Sequence, residues 1–229
     1  MNRMAVALVS LATLVSTLAQ HPVSVRPYQT RVWGHPQIHV AVIGDSYTAG
    51  TDEGGEGPNA WTARAWEALG RQGLAVAADV AAEGRAGYGV PGDHGSVFMD
   101  LTARAVHSDD ALVVFFGSRN DQGVDPVLLG EMVRNTFDLA RRTAPTAKLL
   151  VIGPPWPTAD VPDSVRKIRD TLAAVARRTG ATFADPIADH WFAGRPDLIG
   201  EDGVHPNDAG HAYLANKIAP LIGAEFPVL

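Results

Sequence analysis

The 229 residues include no cysteine, which excludes a disulfide framework, a thiolate metal site and a lipid-modified amino-terminal cysteine. Stability has to come from packing. Lysine is almost as scarce, present only at Lys148, Lys167 and Lys217, and the 19 basic residues are outnumbered by 25 acidic ones, for a formal net charge of -6. With no basic cluster to neutralise a phosphate backbone, nucleic acid is not an expected partner. Long apolar runs are also missing. The longest, Met4 to Ala19, falls short of the roughly 20 residues that span a bilayer, so no stable membrane insertion is expected.

That one run has another reading. Arg3 precedes it, it carries no charge, and it ends in Thr17-Leu18-Ala19, a small-x-small cleavage pattern. Residues 1–19 are read as a signal peptide, and the mature protein is expected to be secreted or held in the cell envelope. Residues 20–37 hold three prolines and no apolar periodicity and read as a tether. The remaining 38–229 form one domain, and a hydrophobic content of 46% is ample for one core.

Within that domain short apolar runs alternate with helical patterns. "IHVAVIG" (38–44), "LAVAADV" (74–80), "ALVVFFG" (111–117), "AKLLVIG" (147–153) and "ATFADP" (181–186) read as strands. Segments 59–73 and 126–144, with apolar residues at helical spacing, 164–180, closed by a Gly stop, and about 208–222 read as helices. Parallel neighbours need crossover connections, so the alternation predicts an α/β protein: a three-layer α/β/α sandwich around a mostly parallel five-stranded sheet. The long Gly- and Pro-rich loops, 48–58, 84–95, 154–163 and 186–206, are of a length usually kept for function.

Polar residues cluster where buried strands do not require them. The first strand runs into Gly44-Asp45-Ser46, the third into "GSRND" with Asn120 and Asp121, and "EDGVHPNDAGH" with Asp202 and His205 precedes the last helix. In a doubly wound sheet the carboxyl ends lie along one edge, where distant residues converge. A serine hydroxyl attacks well only when a base takes its proton, and a histidine serves best when an acceptor orients its other nitrogen. Ser46, His205 and Asp202 are therefore a candidate triad. Attack on an ester also needs donors for the oxyanion. The Ser46 N–H, the Asn120 amide and a glycine N–H fit that role, with Gly87 preferred and Gly84 its competitor.

"GDSYTAG", the glycine segment after the second strand, "GSRND" and "DGVHPND" together resemble the four blocks of the SGNH (GDSL) hydrolase family, in matching order over about residues 38–222. The resemblance implies a flavodoxin-like fold and a metal-independent serine esterase. It makes Ser46 the nucleophile and an oxyanion donor, Gly87 and Asn120 the other donors, and His205 the base backed by Asp202. Two blocks depart from the pattern. The second reads Ala82-Glu83-Gly84-Arg85 where the family commonly has an Asn before its glycine, and the third has both Ser118 and Arg119 between Gly117 and Asn120, where the family commonly has one residue.

The expected function is a secreted esterase that acts on a small ester, or on an acylated glycan or lipid, through an acyl-enzyme, with no cofactor and no metal. The same apparatus could transfer the acyl group to a cell-envelope hydroxyl, and the fold alone also suits a non-catalytic glycan-binding module. Asp45 and Asp121 are read as braces of their turns. His94, Asp93 and Asp100, or His205 and His211, lack the spacing of a metal site. Arg119 is read as pairing with a carboxylate or touching an anionic substrate group, and Trp156, Trp191, Phe192, Tyr88 and Phe98 as loop anchors that a ligand pocket could use.

Overall fold

The computed structural model describes residues 37–226. The expected leader, 1–19, and all of the tether but its last residue lie outside them. Five strands, β1 (Ile38–Gly44), β2 (Val76–Ala82), β3 (Leu112–Phe116), β4 (Lys148–Ile152) and β5 (Thr182–Ala184), form one sheet in the order β2-β1-β3-β4-β5, and every pairing is parallel. The mostly parallel sheet expected from the alternation is thus wholly parallel among the described residues.

Alternation along the strands builds a core on each face. Val40, Val42, Leu112, Val114 and Phe116 point into one, closed by helices α2 (Trp61–Arg71) and α6 (Asp208–Ala224). Ala41, Ile43, Val113 and Phe115 point into the other, closed by α3 (Phe98–Ala105), α4 (Pro126–Thr143) and α5 (Asp163–Thr179). A one-turn helix, α1 (Ser46–Ala49), follows β1 directly. Strands buried on both faces read as continuous apolar runs, which is why β3 and β4 stood out in the sequence.

Two elements, β2 and α3, depart from expectation. β2 starts and ends two residues later than its apolar run, because as an edge strand it is only half covered and its burial does not follow its hydrophobicity. α3 was not anticipated, although Phe98, Leu101, Thr102 and Ala105, all buried, lie at the i, i+3, i+4, i+7 spacing of one helical face. Phe98 is accordingly a core residue, ring to ring with Tyr88 at 4.7 Å, and not a loop anchor.

Register sets up the site. Ala82, Gly44, Phe116, Ile152 and Ala184 form one row across the sheet, so the chain leaves every strand at the same edge. The connections after β1 and β3 run to opposite faces, which opens a crevice at the carboxyl ends of these two neighbours.

Candidate active site

At the end of β1 the chain turns so sharply that a Cβ on Gly44 would stand 2.6 Å from the Thr48 Cβ. Asp45 N-caps α1 through the Tyr47 N–H at 2.9 Å, which leaves Ser46 as the first helical residue, its N–H without an intrahelical acceptor. Burial is the main reason that the Asp45 carboxyl rises from 3.8 to about 7, with the Tyr47 N–H and the nearby Arg119 charge pulling the other way. Its brace role is therefore played by a group that titrates near neutrality. Gly117, at the end of β3, packs against it: φ is +113° there, and a Cβ would lie 2.7 Å from Asp45 Oδ2.

The loop before α6 delivers the other two polar groups. Asp202 Oδ1 accepts the N–H groups of Val204 and His205 at 2.8 and 2.9 Å, and its Oδ2 lies 2.5 Å from His205 Nδ1. Burial pushes this carboxyl up, but those bonds from His205 and Val204 outweigh it and hold it below its usual range. His205 Nε2 in turn stands 3.0 Å from Ser46 Oγ. The buried Tyr47 hydroxyl donates to the Val204 carbonyl at 2.5 Å and so ties α1 to the His205 loop. Burial raises the Tyr47 pKa and keeps it a neutral donor.

A cavity of about 550 Å³ opens at these groups, bordered by Ser46, Gly84, Arg85, Arg119, Asn120 and His205 among others. Asn120 Nδ2 donates to the Ala86 carbonyl at 2.9 Å, which uses one of its two hydrogens and orients the other. Gly84 is on the cavity wall, and no acceptor among the described residues takes its N–H. Gly87, preferred from the sequence, does not border the cavity. Its N–H is engaged by the Val90 carbonyl at 2.8 Å, and a Cβ there would sit 2.7 Å from the Asp121 Cγ. The close approach that requires glycine at 87 is to Asp121, not to a ligand. Asp121 accepts the N–H groups of Tyr88, Gly89 and Val90 at 2.9, 2.8 and 3.2 Å and braces that loop.

Among the described residues no three His, Asp or Glu side chains gather as a metal-binding group. His211 is buried beneath α2, where its Nδ1 accepts the Trp61 N–H at 3.3 Å, and burial lowers its pKa to about 4, so it is a neutral packing residue near pH 7. Arg119, singled out in the sequence as a partner for a carboxylate or an anionic substrate group, borders the cavity, and so does Arg85, which nothing in the sequence singled out. Trp191, Phe192 and Tyr88 are buried in the cores, whereas Trp156 lies beside the site under Arg119.

The profile of the GDSL-like Lipase/Acylhydrolase family matches residues 42–213. The GDSL lipase Rv0518 of Mycobacterium tuberculosis (strain ATCC 25618 / H37Rv) is 64% identical over 228 residues, 98% of this chain and 99% of that protein. Among solved structures, TesA superposes with a TM-score of 0.66 at 22% identity, covering 82% of this chain and 99% of that one. Est24, a carbohydrate acetylesterase from Sinorhizobium meliloti, does so with 0.60 at 18%, covering 83% and 100%. Identities this low speak for the fold alone. The family match and the 64% relative go further, and the chain belongs to the GDSL-like lipase/acylhydrolase family of carboxylic ester hydrolases.

Proposed function

We propose that the protein is a secreted serine esterase that cleaves its ester through an acyl-enzyme on Ser46. The observation that supports this most directly is the unbroken chain of contacts from Ser46 Oγ to His205 Nε2 at 3.0 Å and from His205 Nδ1 to Asp202 Oδ2 at 2.5 Å. Ser46 Oγ attacks the carbonyl carbon as its proton passes to His205 Nε2. Asp202 holds the imidazole in the tautomer that can accept it and stabilises the cation that forms. The oxyanion takes hydrogen bonds from the N–H groups of Ser46 and Gly84 and from the free hydrogen of Asn120 Nδ2. His205 then gives its proton to the leaving alcohol, and water repeats the sequence on the acyl-enzyme with His205 again as base.

A fluorophosphonate probe tests the reading. The native protein is expected to be labelled and to turn over p-nitrophenyl acetate, and Ser46→Ala to do neither. An inert native protein, or a labelled Ser46→Ala, would sink it and favour a binding module of the same fold.

Export belongs to the same proposal. It rests on Arg3, the uncharged run and the Thr17-Leu18-Ala19 pattern. Expressed at full length in an actinobacterial host, the protein is expected outside the cytoplasm with Gln20 as its first residue. Intact Met1 on a cytoplasmic product would overturn that part alone.

A further inference from the structure

Two arginines border the catalytic cavity, and they differ in how their charge is met. Arg85 is largely exposed and has Asp93 at 3.5 Å. Arg119 has no such partner. The ion pairs of the described arginines involve Arg71, Arg85, Arg166, Arg169 and Arg195, and Arg119 is in none of them. Its Nη1 is shielded from solvent and meets no hydrogen-bond acceptor among the described residues. Its guanidinium lies over the Trp156 ring, 4.2 Å from the centroid, so stacking helps to orient it. Asp45, whose Oδ1 accepts the Tyr47 N–H, and the Tyr47 hydroxyl both feel the charge from beneath the site, yet neither forms an ion pair with it.

A half-buried guanidinium outside any ion pair keeps hydrogen-bonding capacity to spare, and an anion that enters the cavity can take it up through charge-assisted hydrogen bonds. On a protein of net charge -6, a cation kept unpaired beside the nucleophile also selects locally for what the rest of the surface repels. We propose that Arg119 is a specificity-determining residue that receives a carboxylate or phosphate group carried by the substrate next to the scissile ester. The inference builds on the esterase reading and names the class of ester: one whose acyl or alcohol part is anionic.

The test compares esters in pairs that differ in charge. Acetyl esters with the anion on the leaving side are 4-acetoxybenzoate and 4-acetoxyphenyl phosphate, each set against neutral methyl 4-acetoxybenzoate. Methyl hydrogen succinate against methyl butyrate places the anion on the acyl side. The quantity read is the ratio of kcat/KM for the anionic ester to that for its neutral partner, in which general damage to the site cancels. Arg119→Met is expected to lower this ratio about tenfold in at least one pair, and Arg119→Lys, which keeps the charge, to restore part of it. The pair most affected tells carboxylate from phosphate and acyl side from alcohol side. Ratios within twofold of native in all pairs would overturn the proposal.

Calorimetry on Ser46→Ala needs no turnover. It is expected to bind 4-acetoxybenzoate more tightly than the neutral ester, and the added Arg119→Met change to abolish that difference. Equal affinity for both esters in Ser46→Ala would also overturn the proposal. A native protein inert on every ester of the set, charged and neutral alike, would defeat the esterase reading instead, and the titration would still judge Arg119.

Discussion

Single side chains set the chemistry, and two of them give sharp expectations. Asn120 borders the cavity and gives one amide hydrogen to the Ala86 carbonyl, which leaves the other for the proposed oxyanion. Removing one such donor typically costs about 10²- to 10³-fold in kcat, so Asn120→Ala is expected to lose that much with KM little changed, as steady-state kinetics on p-nitrophenyl acetate will read. Asp45 gives a pH dependence. Its pKa is about 7 in the folded protein against 3.8 normally, so between those values the folded chain binds the proton more tightly than the unfolded one. The contribution of Asp45 to stability therefore falls as pH rises from about 4 to 7 and is level above. Asp45→Asn, which can still cap Tyr47, lacks that loss. Its stability relative to the native protein is expected to grow by up to about 4 kcal/mol between pH 4 and pH 8, measured by urea unfolding at each pH.

At the scale of elements, two short segments have to meet, and Tyr47 joins them. α1 carries Ser46, the loop before α6 carries His205, and the Tyr47 hydroxyl bonds the Val204 carbonyl between them. Tyr47→Phe deletes the donor and leaves the ring packed edge-on against Phe116 and Phe192. A loss of about 1–2 kcal/mol in stability is expected, together with a fall of about tenfold in the rate of fluorophosphonate labelling as the His205 loop loosens. Unchanged labelling with reduced stability would make the bond structural only. The elements themselves were unequally legible. β1, β3 and β4 announce themselves as continuous apolar runs and α2, α4 and α5 by helical periodicity, whereas β2 sits half covered at an edge and α3 is two turns long. Local pattern weakens where burial is partial or the segment short.

Over the whole molecule the sheet separates two cores, and neighbours on one strand belong to different ones. Phe115 packs with Phe137 at 4.9 Å on the α3-α4-α5 side, while Phe116 meets Trp61 at 5.8 Å and Tyr47 at 6.3 Å on the other. Phe115→Leu and Phe116→Leu are each expected to cost about 1–2 kcal/mol. Because their side chains share no partner in these contacts, the double variant should lie within about 0.5 kcal/mol of the sum, as denaturant titration will show. Only Phe116→Leu is expected to slow the esterase, since Phe116 touches the helix turn that holds Ser46 and Phe115 does not. Equal kinetic damage from both would mean that the two cores are coupled through the sheet.

The amino-acid order alone determined the alternating α/β architecture and the small set of polar residues at the strand ends. Hydrophobic period and turn chemistry are local properties of the chain, and both can be read one segment at a time. Convergence is not local. The row from Ala82 through Gly44 to Ala184 put the loops on one edge, and backbone hydrogen bonding within the 84–95 loop decided that Gly84 reaches the cavity while Gly87 is spent on Val90. Tertiary packing alone decided that His211 is buried and neutral, that His205 faces the serine, and that Arg119 stacks on Trp156 outside any ion pair among the described residues. Each of these depends on what lies across a gap from residues tens of positions away, and no periodicity records that distance.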